Sequence, residues 1–188
     1  QLKLIEEMPH ITNVDGISVC WNEEQCFYLS LRPIPSSTPS SSQLEAFRWQ
    51  IIRKVMVQST AQKTAYEMTQ KYQLLLECGI RIHKPLLDPR IAGWMIDPEE
   101  KNSGSLDCLA ERYIPAKKIV GNPGDSIARN AKETMQSWFL MNYLVERLKT
   151  DILYLPFRDI EMEVIPILAE MQHWGMGFEK SVCDTHQV

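Results

Sequence analysis

The chain has 188 residues, 44% of them hydrophobic, and its 24 acidic and 20 basic residues give a net charge of −4. This length and composition can bury one ordinary core, so we expect one compact domain with a short extension. The small negative charge excludes the global basic field of many nucleic-acid binders, and any DNA contact must be local.

Cysteine usage and hydropathy indicate the compartment. The five cysteines are odd in number and form no C-x-x-C pair, which favours unpaired thiols in a reducing environment. No apolar run approaches the roughly 20 residues that span a bilayer, and the first residues carry no signal pattern. We therefore expect a soluble intracellular protein that does not contact a membrane.

The first clear pattern is a β-hairpin within residues 14–31. Apolar residues alternate with polar or small ones on both sides of a polar turn at 22–25: Ile17, Val19, Trp21, Phe27, Leu29 and Leu31. This alternation predicts two strands with one buried face. Pairing Trp21 with Cys26 across the turn places Cys20 opposite Phe27. That register argues against a disulfide between Cys20 and Cys26.

Residues 32–42 are rich in proline and hydroxyl side chains, so we expect a mobile loop. Ser42 and Glu45 then form a capping box, S-x-x-E, which predicts the start of a helix. The helix has one apolar face that we expect to pack on the sheet: Leu44, Phe47, Ile51, Ile52 and Val55.

The following elements have local start and stop signals. A short strand is expected at 64–66, and helices are expected at 68–78 ending at Gly79, after Asp88 and Pro89, after Ser105, and from Asp125 to about Lys149. Asp88 and Asp97 are interpreted as caps or turn residues rather than ligands. The longest helix shows one apolar stripe: Ile127, Ala131, Met135, Trp138, Asn142, Val145 and Leu148.

The segment 159–179 predicts a buried amphipathic helix. Its apolar face is formed by Ile160, Val164, Ile165, Leu168 and Met171. Gly175 ends the helix in the left-handed conformation, and Pro166 marks either its start or a bend. Strands early in the chain, helices later and a central alternation of the two together indicate an α/β fold, a mixed sheet with packed helices.

Four stretches resemble the family A DNA polymerases in the same order along the chain. They are the hairpin GISVCWNEEQCFYLSL, the run LLECGI at 75–80 followed by DPRIAGWMIDPE at 88–99, the run SLDCLAERYI at 105–114, and the helix DIEMEVIPILAEMQHWGMGFE at 159–179. Within the family the hairpin is most similar to the eukaryotic theta branch, with the nu branch second.

The resemblance implies a ribonuclease-H-like (3′–5′ exonuclease-like) domain at residues 1–157. Residues 158–188 would then form the junction helix and the start of the polymerase domain, with Trp174, Gly175 and Phe178 packed at the junction. The parent would be a DNA-directed DNA polymerase that acts on DNA in nuclear repair, by end joining or translesion synthesis. It would use magnesium, whereas this segment would hold no cofactor.

In that family four carboxylates hold two metal ions that activate water and stabilise the leaving oxygen. The first motif, D-x-E, does not occur in residues 1–13, so either its strand lies upstream of them or the motif is lost. Alignment on Gly79 places Glu67 and Lys71 at the second motif, and alignment on Ala131 places Ser126 and Asn130 at the third. A lysine ammonium would repel a divalent cation by several kcal/mol. We therefore expect an inactive nuclease that serves as a structural platform.

Two other functions remain open at this point. The first is an active metal-dependent nuclease that uses displaced carboxylates such as Asp88 or Asp125. The second is a protein-interaction module that docks through the loop at 32–42. Four basic residues, Lys117, Lys118, Arg129 and Lys132, are candidates for contacting DNA, with a solvated face as the alternative.

Overall fold

The computed structural model describes residues 14–31, 39–99, 105–115 and 124–175, without the side chains of 39–42 and 45. The elements in chain order are β1 Gly16–Cys20, β2 Cys26–Ser30, α1 Pro39–Arg53, β3 Lys63–Thr64, α2 Met68–Glu77, β4 Leu86–Leu87, α3 Pro89–Ile96, α4 Leu106–Tyr113, α5 Ser126–Thr150, α6 Tyr154–Pro156 and α7 Met162–Trp174. π-Helical turns at Lys54–Gln58 and Phe157–Glu161 follow α1 and α6. The α/β class is confirmed.

The strands form two small sheets. β1 and β2 pair antiparallel as the predicted hairpin, and β3 and β4 pair parallel. Within the described ranges these pairs remain separate, so the expectation of one mixed sheet is not met there. Strands of two residues offer few ladder hydrogen bonds for further pairing. Most of the core is therefore buried between helices.

The predicted hairpin register is wrong by one residue. Cys20 lies opposite Cys26, and Val19 lies opposite Phe27. The cause is the turn, in which Asn22 Oδ1 accepts the backbone N–H groups of Glu24 at 3.0 Å and Gln25 at 2.9 Å. This arrangement keeps Trp21 in the turn rather than in the ladder.

The start and the buried face of α1 both differ from expectation. The helix begins at Pro39, so Ser42 lies inside it and is not its cap, and residues 39–42 of the expected loop are helical. The rest of that loop, 32–38, lies outside the described residues. Trp49 and Ile52 are buried, whereas the other apolar residues of the predicted face are exposed: Leu44, Phe47, Ile51 and Val55. Arg48 Nη1 donates to the Ser30 carbonyl at 3.0 Å and turns this side of α1 toward the hairpin.

The central helix α5 packs against the hairpin, α3 and α4. Of the predicted stripe only Leu148 is buried, and the buried side is the row Gln136, Ser137, Leu140, Met141, Leu144 and Leu148. The polar members of this row can be buried because they have partners. Ser137 Oγ donates to the Glu133 carbonyl at 2.7 Å, and Gln136 Nε2 donates to Asp107 Oδ1 at 2.8 Å. Apolar spacing alone assigns such residues to the surface.

The junction helix is longer than predicted, and it buries a different face from the predicted one. Helical backbone runs without a break from Tyr154 to Trp174, with Pro166 inside it. α7 packs against α2 and buries Ile165, Met162 and Ala169. The other four residues of the predicted face are exposed: Ile160, Val164, Leu168 and Met171.

The stop at Gly175 is confirmed, but φ +67° with ψ −168° is not the left-handed helical conformation that the sequence predicted. The stop at Gly79 follows the expected pattern. Its N–H donates to the Leu76 carbonyl at 2.8 Å, and the next N–H, from Ile80, donates to Leu75 at 2.8 Å. No described helix is long and apolar enough to cross a membrane.

The end of α5 has a similar set of hydrogen bonds but an unfavourable residue. The Ile152 N–H donates to the Lys149 carbonyl at 3.3 Å, and the Leu153 N–H donates to Leu148 at 2.8 Å. Ile152 has φ +61° and is 85% exposed. A β-branched residue is strained in this backbone region, and its exposed side chain contributes little packing in return.

We predict that Ile152→Gly raises the free energy of unfolding by about 1 kcal/mol, because relief of backbone strain exceeds the entropy cost of glycine. The matched control is Ile167→Gly, an exposed position inside α7, where glycine should lower the same quantity by about 1 kcal/mol. Urea unfolding measures both. Destabilisation by Ile152→Gly would contradict the strain at this position.

Candidate functional site

The centre of the candidate site is a buried carboxylate at the end of β4. Asp88 is 2% exposed, and its side chain accepts three backbone N–H groups. Oδ1 accepts from Arg90 at 2.9 Å and from Glu67 at 3.3 Å, and Oδ2 accepts from Met68 at 2.8 Å. The predicted role of Asp88 as the cap of α3 is confirmed. The same carboxylate also caps α2.

The parallel strands bring the two helix starts together. Thr64 of β3 lies beside Leu87 of β4, and the Ala65 N–H extends the ladder to the Leu87 carbonyl at 3.1 Å. Parallel strands finish at the same edge, and here each strand leads within a few residues into a helix. The first turns of α2 and α3 therefore point their free N–H groups at one place. An anionic side chain is favoured there by both helix dipoles.

The charge balance at Asp88 has opposing contributions. Burial raises the pKa of the Asp88 carboxyl above its ordinary value, while the three N–H donors and the Lys71 ammonium act in the opposite direction. The donors compensate part of the desolvation that a buried carboxylate suffers. The oxygens of Asp88 are thus used to join two helices.

The two residues that the sequence places at the second metal motif lie around this carboxylate. Glu67 adopts a left-handed backbone, φ 54° and ψ 52°, and its Oε1 accepts from Arg90 Nη1 at 2.9 Å. Lys71 Nζ donates to the Tyr66 carbonyl at 2.8 Å. A non-glycine residue in this conformation is held there by its surroundings. Here the ion pair with Arg90 and the hydrogen bond to Asp88 provide that restraint.

A cleft of about 460 Å³ opens beside these residues, between α2, α3 and the helical run that leads into α7. Its lining mixes charged, amide and aromatic groups, among them Glu67, Asp88, Arg90, Trp94, Glu161 and Gln172. The sequence interpretation missed Arg90 and Trp94. Their spacing of four residues, on the helix that Asp88 begins, is the signal that could have found them.

The two third-motif residues lie on α5. Ser126 and Asn130 are exposed on the first turns of α5, behind the predicted cap Asp125, whose Oδ1 accepts the Ile127 N–H at 2.9 Å. Across the described ranges, no hydrogen bond or ion pair joins Ser126 or Asn130 to Glu67 or Lys71. In the same ranges no three His, Cys, Asp or Glu side chains are grouped as a metal site.

The candidate DNA-contacting residues divide into three cases. Lys117 and Lys118 lie outside the described residues, and Arg129 is exposed on α5. Lys132 Nζ pairs with Asp107 Oδ1 at 2.7 Å and so links α5 to α4. Hydrogen bonds from Lys132 and then Gln136 hold the pKa of Asp107 below its ordinary value. Contact with DNA stays a prediction for all four basic residues.

Two of the three predicted junction residues lie within the described part of the chain. Trp174 is 76% exposed and makes an edge contact with the His173 ring at 5.2 Å. Gly175 follows as the end of α7, and Phe178 lies outside the described residues. Packing of Trp174 at a domain junction stays a prediction, because in this chain the ring has most of its surface in solvent.

We predict that Asp88→Ala lowers the free energy of unfolding by about 3 kcal/mol, since it removes two helix caps and leaves buried N–H donors unsatisfied. The matched control is Asp125→Ala, which removes one exposed cap and should cost about 1 kcal/mol. Urea unfolding measures both changes. Equal losses for the two variants would refute the double role of Asp88.

Comparison with known proteins finds DNA polymerases that are similar to most of this chain. No protein-family model matches the chain. DNA polymerase theta of Mus musculus is 27% identical over 207 residues, which cover 93% of this chain and 8% of that protein. DNA polymerase I of Treponema pallidum is 27% identical over 220 residues, covering 93% of this chain and 22% of that protein.

A third relative, DNA polymerase I of Borreliella burgdorferi, is 30% identical over 122 residues, 58% of this chain and 13% of that protein. The chain thus spans less than a quarter of the length of each of these relatives. The resemblance that the motifs indicated, including the one to the theta branch, is confirmed. Over most of its length the chain is similar to a segment of family A DNA polymerases.

Proposed function

We propose that this chain is a non-catalytic, ribonuclease-H-like platform domain of a family A DNA-directed DNA polymerase that acts on DNA in nuclear repair. The observation that carries the proposal is the burial and hydrogen bonding of the Asp88 carboxylate. It is the one buried carboxylate of the described residues, and both of its oxygens accept hydrogen bonds from helix N-termini. A carboxylate used in this way is poorly placed to coordinate a metal ion.

The charges around Asp88 support the same conclusion. The Lys71 ammonium lies close enough to act on the pKa of Asp88, and the Arg90 guanidinium pairs with Glu67 beside it. A divalent cation approaching the carboxylate would meet both of these positive groups. Two-metal hydrolysis requires a cluster of anionic ligands, and replacing a ligand carboxylate with an ammonium removes that stabilisation.

The rival nuclease, built on Asp88 or Asp125, is less favoured because both carboxylates cap helices. Asp88 serves α2 and α3, and Asp125 serves α5. Coordination of a metal by either oxygen pair would compete with these N–H donors. The interaction-module alternative depends on the loop at 32–42, of which only 39–42 are described.

The platform role is supported by the exposed face of the helical run into α7. Six apolar residues recur at helical spacing along it: Ile160, Val164, Ile167, Leu168, Met171 and Trp174. The opposite face is buried on α2 through Ile165 and Ala169. An apolar stripe of this length is typical of an interface. Its proposed occupant is the polymerase domain that follows this segment in family A enzymes, for which magnesium would be the cofactor.

We predict no stepwise shortening of end-labelled single-stranded DNA by this protein in magnesium or manganese, even with protein in excess. In the 188-residue chain the double variant Lys71→Asp with Asn130→Asp should not create activity, unless sequence upstream of residue 1 is added that supplies a D-x-E pair. An active proofreading exonuclease provides the positive control. Shortening that disappears in Asp88→Asn with Asp125→Asn would establish a working nuclease and overturn the proposal.

The junction is tested by one substitution in two contexts. In the complete polymerase, Trp174→Ala should lower stability by about 3–5 kcal/mol, the cost of truncating a large buried aromatic side chain. In the 188-residue chain alone the same change should have little effect, because Trp174 is 76% exposed there. Thermal unfolding measures both. An unchanged melting temperature of the complete polymerase would contradict the packing of Trp174 at the junction.

A further inference from the structure

The corrected hairpin register places two free thiols opposite one another. Cys20 ends β1, Cys26 begins β2, and the two are cross-strand partners. Both side chains are half-buried, so small reagents can reach them. The other cysteines of the described chain differ, since Cys78 is buried and Cys108 is exposed on α4.

The hydrogen-bond pattern of the hairpin defines the type of pair. The Leu31 N–H donates to the Asp15 carbonyl at 2.9 Å, so these opposite residues form a hydrogen-bonded pair. Pairs alternate along an antiparallel ladder between hydrogen-bonded and non-hydrogen-bonded types. Cys20 is an odd number of residues from Asp15 and therefore belongs to a non-hydrogen-bonded pair with Cys26.

Non-hydrogen-bonded pairs bring their side chains closest. Their Cα atoms lie about 4.5 Å apart, which is within the roughly 4.4–6.8 Å that a disulfide requires. The loop between the two cysteines, residues 21–25, is short and is ordered by the hydrogen bonds to Asn22 Oδ1. Little rearrangement is needed to bring one sulfur to the other.

The reduced pair has its own restraints. Cys20 Sγ donates to the Asn22 carbonyl at 3.0 Å. Burial, followed by the neighbouring Cys20, raises the pKa of the Cys26 thiol. A protonated thiol is a poor nucleophile, so we assign the first attack on a peroxide to Cys20 and the second attack to Cys26.

We propose that Cys20 and Cys26 are a reversible oxidation site, at which a peroxide oxidant converts the two thiols into a disulfide across the hairpin. A thiolate first attacks the peroxide, takes one oxygen as a sulfenic acid and expels hydroxide, which takes up the proton that the thiol had lost and becomes water. The second thiolate then attacks that sulfur and expels hydroxide, which takes up a proton to become water. Two thiols and one hydrogen peroxide thus give one disulfide and two waters, and a small dithiol reductant reverses the change.

The disulfide would fix the end of the hairpin that carries two aromatic rings. Trp21 and Phe27 each follow one of the cysteines in sequence, and their rings stack with centroids 4.6 Å apart. Both rings are exposed. Oxidation would therefore add a covalent restraint directly beside this aromatic pair. This inference does not depend on the proposed function.

The test is intact-mass analysis of the 188-residue protein after treatment with hydrogen peroxide, followed by digestion with a glutamate-specific protease. Glu23 and Glu24 separate the two cysteines, so only a disulfide keeps their fragments joined. We expect a mass loss of about 2 Da, a joined fragment pair and a melting temperature higher by several degrees, all reversed by dithiothreitol.

Variants identify the cysteines that react. Cys20→Ser and Cys26→Ser should each abolish the joined fragments and the rise in melting temperature, whereas Cys108→Ser should leave both unchanged. Three results would overturn the proposal: a joined fragment pair that contains Cys108 or Cys183, conversion of Cys20 or Cys26 to higher oxygen acids without joining, or both thiols still free after treatment.

Discussion

The carboxylate of Asp88 is the interaction on which the arrangement of the central elements depends. Two short parallel strands deliver two helices to one edge, and the first turns of both helices present unpaired N–H groups at the same place. Without an acceptor there, two helix starts would be buried with unsatisfied donors, at a cost of one to several kcal/mol. The side chain of Asp88, directly after β4, accepts hydrogen bonds from both helix starts.

This constraint also bears on the chemistry of the site. The position that could hold a metal ligand is occupied by a structural carboxylate, and the residues next to it bring a lysine and an arginine rather than further acids. The left-handed backbone of Glu67 is compatible with the same arrangement, because it directs the Glu67 N–H at Asp88. Charge and backbone geometry there both fit the role of Asp88 in joining α2 to α3.

Local signals were sufficient for most of the caps, but not for the start of α1 and not for the packing. Capping hydrogen bonds join residues only a few positions apart in the sequence. Four such capping residues were identified correctly from the sequence: Asp88, Ser105, Asp125 and Gly79. The buried sides of α1, α5 and α7 depend on neighbours far along the chain, and their predicted faces were wrong for that reason. The second role of Asp88 was missed for the same reason, since Met68 is 20 residues away.

The unbroken helical run from Tyr154 to Trp174 has a mechanical consequence. Phe157, with none of its surface exposed, anchors one end in the core, while Trp174 lies at the other end in solvent. A helical run of this length extends about 30 Å. The helical run therefore sets the direction in which the chain leaves the core. Gly175 directly follows the last helical residue, and its positive φ lets the chain change direction there at little conformational cost.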